Sequence, residues 1–165
     1  MPKPGISIEI PNYFDLSIRR IVTDYNGTLS QAGRVSPGVI ERLRRLHALV
    51  DIDVITSDTF GTAKAELALA GLQPLLLPAG ARHDEAKEAH AKANDAAHIA
   101  AFGNGNNDSR MLKAVKDAGG LAIVVDNGEG CAVQSLLDAE IFVVGIANAL
   151  DLLLDPMRCK ATLRR

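Results

Sequence analysis

Tryptophan is absent from this 165-residue chain, and aromatic residues of all kinds make up only 4% of it. That scarcity removes the stacking platforms on which single-stranded nucleic acids are held. There is no excess charge to attract a polyanion either. Eighteen Lys and Arg against 20 Asp and Glu leave a formal net charge of −2, so neither nucleic acid nor an anionic membrane is expected as a partner. The two cysteines, Cys131 and Cys159, are far apart and form no metal-ligand pair. Nothing in their placement resembles a secreted disulfide framework, which predicts a cytoplasmic protein. The opening MPKPGISIEI has two prolines and none of the apolar core of a signal peptide. The longest apolar stretch, Ile141 to Leu154, is too short to span a bilayer and contains Asp151.

What is present is an ordinary globular balance, 47% hydrophobic and 23% charged, on a length that suits one domain over residues 1–165. Short β-branched runs at Ile18–Thr23, Ile52–Thr56, Ile99–Phe102, Leu121–Val125 and Ile141–Val144 predict buried strands, with a weaker one at Gln73–Leu77. Helical spacing fills the gaps. Ser36–Pro37 is a helix start, and Val39, Leu43, Leu46 and Leu49 follow on one face. Further helices are expected at Thr62–Ala70, His83–Ala93, Asn107–Asp117, Gly130–Leu137 and Ala147–Leu153. This alternation predicts an α/β fold, a mostly parallel sheet with helices on both faces. Ligands in such sheets bind beyond the carboxyl ends of the strands. The first 17 residues differ. Ile6, Ile8 and Ile10 alternate with polar residues before a Pro11–Asn12 turn, predicting an added hairpin or edge strand that covers a sheet edge or reaches a second subunit. The tail, residues 156–165, carries four basic residues and reads as a solvated basic end.

The chemistry lies at the strand ends. The first buried strand runs into Asp24-Tyr25-Asn26-Gly27-Thr28-Leu29, an acid at the open edge of the sheet followed by a glycine that permits a sharp exit. An Asx-turn would explain it equally well. The second ends in Thr56-Ser57-Asp58, where a hydroxyl beside free backbone N–H groups can hold a phosphate oxygen or simply cap a helix. Lys87 sits in a helix, where a solvated face is the ordinary explanation. The fourth strand ends in FGNGNND, residues 102–108, an oxygen-rich loop that suits a hard cation such as Mg²⁺. Taken singly these features are weak. In this order, each at or just before a strand end, they supply a carboxylate nucleophile, a hydroxyl, a cation and a metal loop, the parts of phosphoryl transfer through an aspartyl-phosphate.

DYNGTLS, VITSD, Lys87 and FGNGNNDSRML resemble, in order, the four motifs of the haloacid dehalogenase superfamily, in the flavour of soluble P-type ATPase-like phosphatases. The resemblance spans about residues 18 to 155. It implies a three-layer, Rossmann-like fold with a central parallel sheet in the order 3-2-1-4-5 and Asp24 on the middle strand. It further implies Asp24 as nucleophile and metal ligand, with the backbone carbonyl of Asn26 as a second ligand. Thr56 and Lys87 would bind phosphoryl oxygens together with Thr28 and Ser57. Asn104 and Asp108 would complete a Mg²⁺ site, with Asn107 in support. Only 32 residues separate the first two motifs, which leaves no room for a cap domain beyond a small flap at Ser30–Val35. An open pocket favours a large or protruding substrate, whether a phosphorylated small molecule or a phosphorylated macromolecule, or else a homo-oligomer in which a neighbouring subunit serves as the lid.

Two positions depart from the family pattern. Asn26 stands where family phosphatases usually carry the Asp that protonates the leaving group, and an amide cannot exchange that proton. Asn104 stands where an acidic metal ligand is usual, so the metal site has one negative charge fewer. The reading is a slow Mg²⁺-dependent phosphohydrolase. The alternatives are a phosphate-binding module without turnover and a regulatory partner of another protein.

Overall fold

Alternation at residues 6, 8, 10, 16 and 18 does what period two dictates: these five aliphatic side chains are buried and the serines between them are exposed. In the computed structural model, which describes residues 1–165, they form an antiparallel hairpin of β1 (Ile6–Ile8) and β2 (Leu16–Ile18). This two-stranded sheet is separate from the main one. It lies under the amino ends of the main strands, where Gly5 N–H donates to the Leu49 carbonyl and Arg19 N–H to that of His98. The expected hairpin is therefore present, and it closes one end of the sheet rather than a sheet edge. Ile18 belongs to it, not to the first central strand, because its side chain pairs in register with Ile6.

The central strands follow as β3 (Arg20–Asp24), β4 (Asp51–Thr56), β5 (Pro74–Leu76), β6 (Ile99–Gly103), β7 (Leu121–Asp126) and β8 (Ile141–Val144). They form one parallel sheet in the order β5-β4-β3-β6-β7-β8. Among these six strands that is 3-2-1-4-5, as the family resemblance implies, with a sixth strand added at the far edge. Helices α1 (Pro37–His47), α2 (Ala63–Ala68), α3 (His83–Ala93), α4 (Ser109–Ala118), α5 (Val133–Leu137), α6 (Ile146–Leu154) and α7 (Pro156–Leu163) complete the chain.

Both faces of the sheet are covered. On one side Val39, Leu43 and Leu46 of α1 and Leu150 and Leu153 of α6 join the hairpin in one apolar cluster. On the other, Ala91 of α3 and Met111, Leu112 and Val115 of α4 pack on Val22, Ala101 and Val124. Small residues at Ala100, Ala101 and Ala122, all fully buried, let the helices sit close in place of the missing aromatics.

The two sheet edges differ. The β5 edge is short and begins with a proline, which blunts it against further pairing. β8, expected to be buried, is an edge strand instead, with Phe142 and Val144 about half to two-thirds exposed. The tail is likewise no free end. Pro156 starts α7, which buries Cys159 on the core, and Arg158 pairs with Asp151 and Asp155. No helix is long and apolar enough to cross a membrane.

Candidate active site

β4, β3 and β6 are neighbours, so their carboxyl ends bring Thr56, Asp24 and the 103–108 loop side by side. Immediately after β3 the chain must leave the sheet. Gly27 makes that turn at φ +76°, and a Cβ there would fall 2.6 Å from Asn104 Nδ2. Only glycine allows the two loops to approach so closely.

Lys87 is not on a solvated face. It reaches in from α3, 2% exposed, and its ammonium donates to Asp24 Oδ1 at 2.9 Å and to Asp108 Oδ1 at 2.8 Å. Burial works against this charge, but Asp108 and Asp24 outweigh it and hold Lys87 above the ordinary lysine pKa. One cation serves two carboxylates. Burial, and then repulsion from Asp108, therefore push Asp24 above the ordinary carboxylate range, against the pull of Lys87 and Thr28.

Asp108 is expected among the metal ligands, and the geometry gives it another task. It is 0% exposed. Its Oδ1 accepts from Lys87, and its Oδ2 accepts from the backbone N–H of Asn104 at 3.0 Å and of Gly105 at 3.1 Å. It fixes the loop and the lysine from behind, and it does not line the cavity.

Asp24 Oδ2 and Asn104 Oδ1 converge on one hydroxyl. Each lies 3.1 Å from Thr28 Oγ1, which has a single proton to give. With Asp24 ionised, one of the two oxygens is left with an oxygen neighbour and no hydrogen between them. The buried Asn26 Oδ1 has no partner at all. Such an acceptor-rich cluster fits a hard divalent cation.

Thr56 is 2% exposed, and its Oγ1 accepts from Asp58 N–H at 2.9 Å and faces Asn26 Nδ2 at 3.5 Å. Its own hydroxyl proton is therefore unspent. Helix α2 does not draw on Thr56 or Ser57. Its first N–H groups donate to Asp58 Oδ1, 3.0 Å from both Thr62 N and Ala63 N.

These groups surround a cavity of about 260 Å³ with no hydrophobic residue in its wall. Of the residues expected from the sequence, Asp24, Asn26, Thr56, Ser57, Lys87, Asn104 and Asn107 line it. Thr28 stands behind Asp24, fully buried. Thr59 and His83 also line the cavity, and neither carries a local sequence signal, since both lie in loop or helix-start positions that any polar residue can fill. Residues 30–35, where a small flap is expected, form a tight turn that does not line the cavity. Isolated bridges join Asn26 to Ser30 and Gln31 to Arg34, and the Gly33 carbonyl accepts from both the Tyr25 hydroxyl, at 2.9 Å, and Thr62 Oγ1. The larger cleft between α3 and α4, about 550 Å³, is walled by charges such as Glu88, Lys92 and Arg110 that pair with one another.

No protein-family model matches the sequence. An uncharacterized protein of Methanocaldococcus jannaschii is 44% identical over 73 residues, 44% of this chain and 74% of that protein. Among solved structures, the cobalt-bound deoxy-D-mannose-octulosonate 8-phosphate phosphatase of Haemophilus influenzae superposes with a TM-score of 0.64 at 14% identity, covering 90% of this chain and 94% of that one. The corresponding Moraxella catarrhalis phosphatase, solved with magnesium ion, phosphate ion and its octulosonate, gives 0.62 at 14%, covering 87% and 90%. A haloacid dehalogenase-like hydrolase of Bacteroides thetaiotaomicron gives 0.56 at 10%, covering 81% and 98%. At these identities the likeness is one of fold.

Proposed function

We propose, for a chain that belongs to the family of the archaeal relative and has the haloacid dehalogenase fold, a Mg²⁺-dependent phosphohydrolase that works through an aspartyl-phosphate on Asp24. The observation that carries the reading is the Lys87 bridge. It holds Asp24 Oδ1 on a cation while Oδ2 faces the acceptor cluster of Thr28 and Asn104. A carboxylate oriented at both oxygens, at the floor of a wholly polar cavity, is a preorganised nucleophile.

Asp24, the Asn26 backbone carbonyl and Asn104 would hold the metal, which when bound neutralises charge on the transferring phosphoryl group. The other roles belong to the chain. Thr56 has a hydroxyl proton to donate to a phosphoryl oxygen, and Ser57 and Asn107 offer further donors at the cavity wall. Lys87 opposes the negative charge that builds as Asp24 and the phosphoryl group meet. The aspartyl-phosphate then opens to water. Asn26 can orient a leaving group or a water by hydrogen bonding, but it can neither give nor take a proton, a deficit of about 10²–10⁴-fold where that transfer limits the rate. On Asn26 alone turnover would be slow, least so on acyl and aryl phosphates, whose leaving groups need no acid.

The neutral Asn26 and Asn104 also motivate a second reading, phosphate binding without turnover. Acetyl phosphate and p-nitrophenyl phosphate separate the two. Mg²⁺-dependent hydrolysis abolished in Asp24→Asn supports the enzyme. Saturable phosphate binding with neither hydrolysis nor beryllium fluoride trapping on Asp24 supports the binding module.

A further inference from the structure

We infer that His83 is the proton-exchanging residue of this site, doing the work that Asn26 cannot. The inference rests on the phosphohydrolase reading and deepens it. Of the side chains that line the polar cavity only Asp24, Lys87 and His83 are titratable. Asp24 is the nucleophile. Lys87 is bound at 2.9 and 2.8 Å to two carboxylates, which keep its proton in place. The remaining walls are hydroxyls, amides and backbone, none of which exchanges a proton readily at neutral pH. Imidazole is the side chain best suited to that exchange.

His83 is the first residue of α3, and Lys87 lies four residues on, the spacing that puts two side chains on one helix face. The helix that delivers the lysine to Asp24 thus delivers the histidine to the same cavity. Its Nε2 lies 3.3 Å from the Pro78 carbonyl oxygen. A carbonyl can only accept, so Nε2 carries a hydrogen and Nδ1 is the atom left to gain and lose a proton. The charges near it are few. Arg82 and Asp84 pair with each other at 3.0 Å, Arg82 also meets Glu85, and Lys87 is neutralised below. From the other elements the 103–107 loop brings only amides and backbone, and the loop after β4 brings Ser57, Thr59 and Asp58, whose Oδ1 is held by α2.

The steps balance. Asp24 attacks phosphorus and the bond to the leaving oxygen breaks. The imidazolium of His83 gives its Nδ1 proton to that oxygen, releasing the alcohol and leaving a neutral imidazole. Water then attacks phosphorus and passes a proton to Nδ1. The bond to Asp24 breaks, and phosphate, the carboxylate and the imidazolium are restored.

The test compares wild type, Asp24→Asn, His83→Gln and His83→Ala with Mg²⁺ on two substrates, p-nitrophenyl phosphate and an alkyl phosphate. The expected result is a roughly 10²-fold loss on the alkyl phosphate in both His83 variants. The p-nitrophenol burst should survive while steady-state release slows, and added imidazole should restore His83→Ala but not His83→Gln. Asp24-dependent hydrolysis that is equally fast in the His83 variants on both substrates overturns the role of His83 alone. Wild type without Asp24-dependent hydrolysis overturns the parent reading and this one with it.

Discussion

Gly103 lies so close against Asp108 that a Cβ on the glycine would come within 2.4 Å of the aspartate Cβ and 2.8 Å of its Oδ2. The contact explains why a strand of buried alanines and aliphatics ends in glycine: the carboxylate that holds Lys87 occupies the space a side chain would need. Gly103→Ala should displace Asp108 from Lys87 and from its own loop. Overpacking of this kind costs about 1–3 kcal/mol. Urea denaturation should report that loss, and hydrolysis of p-nitrophenyl phosphate should fall with it.

Lys87→Met keeps the buried stem of the side chain and removes its charge. Asp24 and Asp108 would then share a buried pocket with no cation, a situation that costs about 3–5 kcal/mol. The loss should be largest near pH 8 and shrink toward pH 5, where a proton can take the ammonium's place. Denaturation at both pH values, in EDTA, checks it.

Asp24 carries a stability signature of its own. Burial first, then Asp108, move its pKa from the ordinary carboxylate value up to about 7. The folded chain therefore holds a proton that the unfolded chain has already lost, and its stability falls as pH rises through that window. Asp24→Asn cannot ionise. It should be more stable than wild type at pH 8 without metal, and the difference should narrow toward pH 4. An equal gap at both ends would show that the carboxylate is not protonated in the fold.

Asn26→Asp returns a proton-exchanging group beside Thr56. In a His83→Gln background it should raise steady-state turnover by about 10²-fold, most on alkyl phosphates, and with His83 in place the gain should be smaller. A matched assay on aryl and alkyl substrates measures the gain directly.

Asn104→Asp adds one negative charge to the oxygen cluster around Thr28. Half-saturation by Mg²⁺ should move to lower concentration, by roughly tenfold for each 1.4 kcal/mol of added attraction. Titration calorimetry with Mg²⁺ alone reads the same change without turnover.

Much of this was legible in the sequence. Periodicity located all six central strands and placed α3 at its observed ends, because β-branched runs and helical spacing compete with nothing else there. Ile18 reads as part of the first central strand because an apolar residue two positions from that strand looks continuous with it, and only the register with Ile6 separates them. The exposed face of β8 was hidden for a related reason. Four apolar residues in a row read as buried on both sides, whereas the end of the sheet leaves one side open. At the site, Asp24, Thr56 and the 104–108 loop announced themselves by position. The division of labour did not, since nothing local says that Asp108 turns both oxygens inward. His83 was illegible because it acts through a helix face it shares with Lys87, a relationship that spacing allows but does not signal.

The hairpin of β1 and β2 sits beneath the amino ends of the strands, at the opposite end of the sheet from the cavity. Cohesion and reactivity are thus housed at opposite poles of one scaffold. Ile6 and Ile8 can be varied to tune how firmly the chain holds together while the chemistry at Asp24 stays untouched, so each pole can serve as the control for experiments on the other.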